Sequence, residues 1–235
     1  MRSRLISLLS LILVMFFFVT PTIAAADQIF GASVGYFALR GEDARVPDDV
    51  LARNLESLAF RIGDFNNAAL GAEYLVGIGD FFEAGVGIGF YRRTVPSVYA
   101  AWTDIDGTEI EQDLKLRIVP VTATVRVLPF GRRNAIQPYF GGGIGLYNWR
   151  YSEVGEFVDF NDDNFIFRDR YTASGTDAGP VAIAGIRVPV GNGLTVGGEL
   201  RYQKARGYVG RENGFLDDRI DLGGYTTQFN VHVHF

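Results

Sequence analysis

The sequence predicts an all-β fold: an eight-stranded antiparallel up-and-down transmembrane β-barrel with periplasmic termini and four long extracellular loops. Three observations predict it. Apolar residues alternate with small or polar ones along much of the chain, long and short connections follow one another in strict order, and aromatic residues mark both ends of the apolar face. Period-two alternation is typical of strands, and sorted connections are typical of membrane barrels.

Eight tracts carry the alternation, and most of them approach the 9–11 residues that a tilted strand needs to cross a bilayer. They are 30–39, 69–78, 82–91, 115–128, 139–149, 180–190, 194–203 and 224–235. The connections 40–68, 92–114, 150–179 and 204–223 are long, whereas 79–81, 129–138 and 191–193 are shorter. An even number of strands places both chain ends beside the short turns, on one side of the membrane.

The two faces of each tract differ in chemistry. In tract 82–91, Phe82, Val86 and Ile88 alternate with Glu83, Gly85 and other glycines. A soluble barrel turns its bulky face inward, whereas lipid requires that face outside. Aromatic residues of the apolar phase decide between these arrangements, because they form two groups suited to the two membrane interfaces: Phe30, Phe82, Phe140 and Phe235 at one end, and Tyr36, Phe90, Tyr202 and Tyr225 at the other.

A soluble exported barrel of the lipocalin type is the alternative fold. The first tract lacks a Gly-x-Trp motif, and the alternation indicates no sealed apolar interior. Pairing across the tight turns also supports the membrane barrel. It sets Glu73 opposite Gly87 and Glu199 opposite Gly185, on the polar face, with Leu75 as a bulky exception. A slip of one residue would turn the charges toward lipid.

The first 26 residues have the features of a signal peptide. Arg2 and Arg4 precede an apolar run from 5 to 19, and Ala24, Ala25 and Ala26 form the small-residue pattern that a signal peptidase cleaves. The run is short for a membrane-spanning helix, so cleavage is favoured over an uncleaved anchor. We therefore expect a signal peptide at 1–26 and a single barrel domain at 27–235.

Composition excludes several functions. The formal net charge of −5 disfavours nucleic acid as a partner, and the absence of cysteine excludes thiol chemistry and disulfides.

In connection 40–68, Val50, Leu51, Leu55 and Leu58 follow Asp49 at roughly helical spacing, which predicts a short helix.

The chain resembles the small eight-stranded outer-membrane barrels of the OmpA, OmpX and OmpW type. The segments 118–122 (IVPVT), 138–145 (PYFGGGIG) and 198–202 (GELRY) carry the resemblance, together with the signal peptide. Phe235, with Val233, Val231 and Phe229, is similar to the C-terminal signal read by the barrel-assembly machinery. The resemblance implies a location in the Gram-negative outer membrane and contact with its lipid and lipopolysaccharide. It also implies encounters with the assembly machinery and periplasmic chaperones.

Charged residues in the polar phase are the candidate site. They are Glu73, Glu83, Arg126, Arg187, Glu199 and Arg201. Inside a barrel they must be paired or hydrated, because isolated burial of a charge is costly. We expect Glu83 to pair with Arg126 and Arg187 with Glu199. A structural ionic plug is favoured over an ion path, because side chains fill the interior of an eight-stranded barrel.

Other motifs are weaker candidates. His232 and His234 share a strand face, but the strand offers no carboxylate to complete a site, and both lie at the periplasmic end. The glycine runs 85–89 and 141–145 lack the dinucleotide-binding fingerprint, so they are interpreted as room for long interior side chains. The loop 159–164 carries three carboxylates and two amides, ligands that suit calcium, without the EF-hand pattern; a solvated acidic loop is favoured.

Three functions follow as hypotheses. The first is a structural or surface-interaction barrel, the second a narrow conduit for small hydrophobic molecules, as similarity to the OmpW type implies, and the third a lipid-modifying enzyme. No catalytic residue, cofactor or metal is expected. Aromatic residues near the outer loops either form a ligand-binding surface or pack the loops together, and the sequence leaves both open: Tyr99, Trp102, Trp149, Tyr151, Phe165 and Phe167.

Overall fold

The computed structural model describes residues 27–160 and 164–235, so the expected signal peptide lies outside the described residues. Strands dominate. Eight long ones are β1 (Gln28–Leu39), β2 (Asn67–Ile78), β3 (Phe82–Thr103), β4 (Glu109–Val127), β5 (Gln137–Asp159), β6 (Phe165–Gly191), β7 (Leu194–Gln203) and β10 (Gly224–His234). The rest are a short helix, α1 (Val50–Asn54), a small hairpin of β8 (Arg206–Tyr208) and β9 (Arg219–Asp221), and the 3-10 turns Glu42–Ala44, Ile62–Phe65 and Arg211–Asn213.

The eight long strands close into an antiparallel barrel in which β1 pairs with both β2 and β10. This confirms the predicted fold class. Register agrees as well, since Glu73 lies opposite Gly87 and Glu199 lies opposite Gly185. The chain ends and the short turns share one end of the barrel, here called the turn end, and the opposite end is the loop end.

A band of apolar side chains surrounds the turn-end half of the barrel. Val86 is 56% exposed and Val125 is 52% exposed, whereas Leu75, the predicted exception, points inward and is 1% exposed. Both aromatic groups lie on the outer face of this band, and the rings of Tyr202 and Tyr225 are 4.9 Å apart. Burying such a surface in water-free surroundings is favourable, which is the arrangement that lipid requires.

Four strands extend well beyond the predicted bounds. β3 continues to Thr103, β4 begins at Glu109, β5 continues to Asp159 and β6 begins at Phe165. Most of the connections predicted at 92–114 and 150–179 is therefore strand, and the links between these strands are only 104–108 and 160–164.

Alternation persists beyond the apolar band, but its chemistry is inverted. On β4, Thr122, Thr124 and Arg126 point inward within the band; beyond Pro120 the inward residues are Ile118, Leu116 and Leu114. The outward residues change in the opposite sense, from Val125 and Val121 to Arg117, Lys115 and Asp113. The barrel interior is thus ionic toward the turn end and apolar toward the loop end, contrary to the expectation that no sealed apolar interior exists. We call this change of faces the polarity inversion.

A cap formed by two loop-end connections closes the apolar half. α1, predicted from the spacing of its apolar residues, is N-capped by Asp49, whose side chain accepts a hydrogen bond from the amide of Ala52 at 3.1 Å. The amide of Asp221 donates to Asp49 at 2.7 Å, and that of Val46 donates to Asp221 at 3.0 Å, which ties α1 to the β8–β9 hairpin. The buried cluster beneath includes Val50, Leu51, Phe65, Leu114, Leu116, Trp149, Tyr151, Phe215, Ile220 and Leu222.

Across the described part of the chain, none of the helices has the length and apolar character to span a membrane.

Candidate functional site

The six charged residues predicted to face the interior lie inside the turn-end half of the barrel. Glu73 is on β2, Glu83 on β3, Arg126 on β4, Arg187 on β6, and Glu199 and Arg201 on β7. The side chains of Glu83, Arg126, Arg187 and Glu199 are almost fully inaccessible to solvent. Together we call these six side chains the ionic layer.

Arg126 is the centre of the ionic layer. Its guanidinium donates to both carboxylate oxygens of Glu73, at 3.0 and 2.5 Å, and to Oε2 of Glu199 at 3.0 Å. Arg201 approaches Glu199 from the loop-end side, with Nε and Nη2 at 3.1 and 3.0 Å from Oε1. Bidentate contacts of this kind are the strong form of ion pairing.

A second pair completes the layer. Arg187 donates through Nη2 to Glu83 and through Nε to Oε1 of Gln137, the latter at 2.8 Å. Tyr139 lies between the two centres: its ring centroid is 5.0 Å from the guanidinium carbon of Arg126 and 5.8 Å from that of Arg187. Its hydroxyl also donates to Glu199 at 3.0 Å.

The expected partners therefore need correction. Glu83 and Arg126 are opposite each other on β3 and β4, but Glu83 binds Arg187 across the lumen and Arg126 binds Glu73 and Glu199. The lumen is narrow enough for an arginine side chain to reach strands that are not its neighbours, so adjacency in the sheet does not decide the pairing.

Glycines make room for this layer. Arg126 is opposite Gly141, Arg187 is opposite Gly197, and Glu73 is opposite both Gly31 and Gly87. A Cβ atom at Gly31 would lie 2.5 Å from the His232 ring and 2.9 Å from Cγ of Glu73. The glycine alternation is therefore a packing requirement.

The layer contains three carboxylates and three guanidiniums, so its formal charge is balanced.

The two histidines join the turn-end network. His232 is fully buried, and its Nε2 lies 2.8 Å from Oε1 of Glu73. Nδ1 of His234 lies 3.2 Å from Asp27, and its Nε2 lies 3.2 Å from the hydroxyl of Thr195. Within residues 27–160 and 164–235, no group of three or more His, Asp or Glu residues could hold a metal ion.

Sequence reasoning left four residues out of the network: Gln137, Tyr139 and Gln228, together with His232, which was weighed only as part of a histidine site. Gln228 donates to Oε1 of Glu199 at 3.0 Å. All four point inward, so strand phase was the signal that could have found them. Neutral and aromatic residues were not counted, although each fills a contact that a carboxylate or guanidinium would otherwise leave open.

One buried carboxyl lies apart from the ionic layer, in the apolar half. Glu153 on β5 accepts hydrogen bonds from Asn54 of α1 at 2.6 Å and from the hydroxyl of Tyr151 at 2.9 Å. Burial raises the pKa of Glu153 above its ordinary value, and the two hydrogen bonds oppose that rise. Burial also raises the pKa of the Tyr151 hydroxyl, with Glu153 adding to the effect. The protonation of Glu153 is therefore coupled to the seating of α1.

A small cavity of about 50 Å³ borders the two halves of the interior, with room for a few water molecules. Lumen-facing residues such as Glu73, Tyr91 and Arg201 line it, and so do Leu70 and Ile88 of the outer face. It lies where β3–β4 pairing lapses, between the pairs Ile88–Val121 and Tyr91–Ile118. Pro120, in this gap, has no amide hydrogen to donate.

The loop aromatics divide into two groups. Trp149 and Tyr151 are buried in the cap core, and Tyr99 accepts hydrogen bonds from the Gln112 side chain and the Val158 amide. Phe167 stacks on Phe157. By contrast, Trp102 is in edge contact with Phe160 and stays partly exposed, as does Phe165.

Two further predictions concern sites that the structure places only in part. The acidic loop 159–164 includes 161–163, which lie outside the described residues. At the C-terminus, Phe229, Val233 and Phe235 are on the outer face, and Val231 is partly exposed.

Known structures share this fold. Outer membrane protein OprG from Pseudomonas aeruginosa is similar over 90% of this chain and 96% of its own, with a TM-score of 0.52 and 12% identity. The E. coli outer membrane protein W matches over 91% of this chain and 100% of its own, with a TM-score of 0.43 and 13% identity. Ail, the attachment invasion locus protein of Yersinia pestis, matches over 89% of this chain and 99% of its own, with a TM-score of 0.42 and 11% identity.

No protein-family model matches the sequence, and neither does any curated protein. At these identities the structural likeness concerns the fold alone. The chain has the fold of the small eight-stranded outer-membrane β-barrels, and the predicted resemblance is confirmed at that level.

The ionic layer predicts strong coupling between Glu83 and Arg187. Glu83→Gln or Arg187→Met alone is expected to reduce the free energy of unfolding by about 3–5 kcal/mol, because each leaves its buried partner uncompensated. The double variant is expected to lose less than the sum of the two. Urea unfolding of the refolded protein in vesicles measures all three. Arg133→Met is the matched control, since that side chain is 88% exposed, and it should change stability by no more than about 0.5 kcal/mol. Additive losses would contradict the pairing.

Glu153 predicts a pH dependence. Its pKa is raised in the folded protein, so folding favours the protonated carboxyl, and this contribution is present at low pH and lost as pH rises through the folded pKa. Glu153→Gln mimics the neutral form. We expect the variant to match the wild type near about pH 4 and to exceed its urea midpoint near about pH 8. A difference that stays constant over this range would contradict the assignment.

Proposed function

We propose that this chain, which has the fold of the small outer-membrane β-barrels, is anchored in the outer membrane of a Gram-negative cell and serves there as a structural or surface-interaction protein. On this proposal the apolar band faces lipid, the turn end faces the periplasm and the loop end projects outward. The protein has no catalytic role in this account.

The observation that carries the proposal is the filled lumen. The ionic layer joins β2, β3, β4, β6 and β7 across the turn-end half, and the cap core occupies the loop-end half. An ion crossing the barrel would have to separate buried charge pairs and then pass through apolar side chains, and both steps are costly. A closed barrel supports a role performed by its surface.

The loop end supports an interaction role. Strands β3 to β6 extend beyond the apolar band as a hydrogen-bonded wall, and its tip exposes Trp102, Ile105, Phe160 and Phe165. Exposed aromatic side chains are enriched at protein interfaces. The wall therefore presents an exposed aromatic surface that could bind a ligand, and the identity of that ligand is not assigned.

The proposed partners at the turn end belong to biogenesis. Phe229, Val231, Val233 and Phe235 form an outward apolar row on the last strand, which supports a C-terminal signal for the assembly machinery. The histidines argue against lipid chemistry, because His232 is buried against Glu73 inside the wall rather than open to the outer leaflet.

A narrow conduit for small hydrophobic molecules is the second candidate, and the cavity beside Pro120 favours it. Both lumen-facing and lipid-facing residues line that cavity, and the neighbouring β3–β4 ladder is interrupted. Passage would require the wall to separate locally, since about 50 Å³ is smaller than an organic solute.

Planar bilayers test the closed lumen. Refolded wild-type protein is expected to produce no conductance steps above those of a protein-free bilayer, while a wide porin in the same bilayers provides the positive control. Migration that changes on heating, together with membrane fractionation of the cells, establishes that the sample is a folded, inserted barrel. Regular conductance steps would contradict the proposed closed barrel.

Uptake of a small apolar dye into protein-containing vesicles tests the conduit. If Pro120→Val, which supplies the missing amide, slowed uptake and Pro96→Val did not, the second candidate would replace the first. Uptake equal to that of empty vesicles supports the surface role.

A further inference from the structure

A row of three arginines crosses the outside of the barrel. Arg92 on β3 is directly opposite Arg117 on β4, and Arg117 is directly opposite Arg150 on β5. Arg92 and Arg150 are exposed, and Arg117 is partly exposed between them. Like charges at directly opposed positions of a sheet are destabilising, so the row is unfavourable unless an anion joins it.

The row lies at the polarity inversion. Toward the turn end, the outer face of the same three strands carries the register row Ile88, Val121 and Leu146, all exposed and apolar. Only one register row separates these apolar residues from the arginines. In the proposed membrane orientation, this is the level at which the outer-leaflet headgroups meet the acyl chains.

In the described part of the chain, no carboxylate pairs with these charges. Within residues 27–160 and 164–235, none of the three guanidiniums forms an ion pair, although several other surface arginines do. Nε of Arg117 is buried and has no hydrogen-bond partner in the described protein. A guanidinium held by the wall with a free donor is suited to a planar or tetrahedral oxyanion.

The surrounding surface is concave. A groove of about 320 Å³ is lined by the three arginines together with Lys115, Ser152, Arg170 and Thr172. Lys115 pairs with Asp113 at 3.1 Å, so one carboxylate borders the groove on the side away from the apolar band. The serine and threonine hydroxyls add uncharged donors, which phosphate oxygens accept.

We propose that this groove binds the phosphate groups of lipopolysaccharide in the outer leaflet. The inference rests on the proposed function for the membrane location. It goes beyond general lipid contact because it assigns the anion to Arg92, Arg117 and Arg150. An acyl chain against Val121 and Leu146 would place its phosphorylated headgroup at the arginine row, a match that a soluble anion cannot make.

The test compares binding of purified lipopolysaccharide to the folded protein in neutral detergent micelles. Each cation removed near an anionic lipid surface is expected to weaken binding by roughly fivefold, so the triple variant Arg92→Gln/Arg117→Gln/Arg150→Gln should bind about a hundredfold more weakly. Dephosphorylated lipopolysaccharide should bind the wild type about as weakly. Arg117→Gln alone, with a loss of roughly fivefold, keeps the test decisive if the triple variant does not fold.

The matched control removes three charges elsewhere. Arg53→Gln/Arg61→Gln/Arg133→Gln changes the net charge equally at side chains that are 51%, 88% and 88% exposed, and its affinity should equal that of the wild type. The arginine-row variant should also lose the rise in unfolding midpoint that lipopolysaccharide gives the wild type, because that stabilisation follows from binding.

Three outcomes would overturn the site. They are equal affinity of the arginine-row and control variants, full affinity for dephosphorylated lipopolysaccharide, and inorganic phosphate competing as well as the lipid does. A wild-type protein that fractionates as soluble without detergent would contradict the proposed function and, with it, this site. An inserted wild type whose binding ignores the three arginines contradicts this site alone.

Discussion

The contact between the barrel wall and lipid is the constraint on which the rest of this structure depends. Where the wall faces hydrocarbon, the outward side chains are predominantly apolar, and most inward positions are occupied by glycine, hydroxyl and ionic residues. Where the same strands extend into water, the polar side chains must face outward and the apolar ones inward. Strand β4 meets both demands with one unbroken alternation, because only the chemistry of its two faces changes near Pro120.

The two halves of the interior follow from this constraint. In the lipid-facing half few apolar side chains, such as Leu75, are buried inside the barrel, so cohesion comes mainly from charge pairs that are dehydrated and mutually neutralised. Arg126 contacts two carboxylates and Tyr139 separates it from Arg187, an arrangement in which removing one member leaves a charge unpaired. In the other half, α1 and the β8–β9 hairpin seal an apolar core of the ordinary soluble kind. The protein is in effect a membrane barrel with a soluble barrel continuing from it.

Much of the fold could be predicted from the sequence, because lipid-facing strands have a regular pattern. The bounds of β7 and the pairing of Glu73 with Gly87 followed from alternation and tight turns alone. The extensions of β3 to β6 were missed because the expected pattern was apolar outside, whereas the outward residues of the β4 extension, Glu111 and Asp113, are acidic. Residues alternate in these extensions as well, but there the apolar residues face inward and the polar residues face outward.

The sequence predicted which six charged residues line the interior as the ionic layer, but not which of them form ion pairs. Strand phase places Glu83 and Arg187 inside the barrel, but which carboxylate an arginine reaches depends on the stagger of the strands and the width of the lumen. Neither the strand stagger nor the width of the lumen can be read from the identity of a single residue. The same reasoning applies to the arginine row, whose alignment appears only when the registers of β3, β4 and β5 are known together.

Spin labels along β4 test the polarity inversion most directly. Because the chain has no cysteine, single cysteines at outward positions 111, 113, 115, 117, 121, 123 and 125 give unambiguous sites in the protein reconstituted into vesicles. Collisions with oxygen, which concentrates in lipid, should dominate at 121, 123 and 125. Collisions with a water-soluble nickel chelate should dominate from 117 to 111. Collisions with the nickel chelate that dominate at 121 and 125 would contradict the polarity inversion.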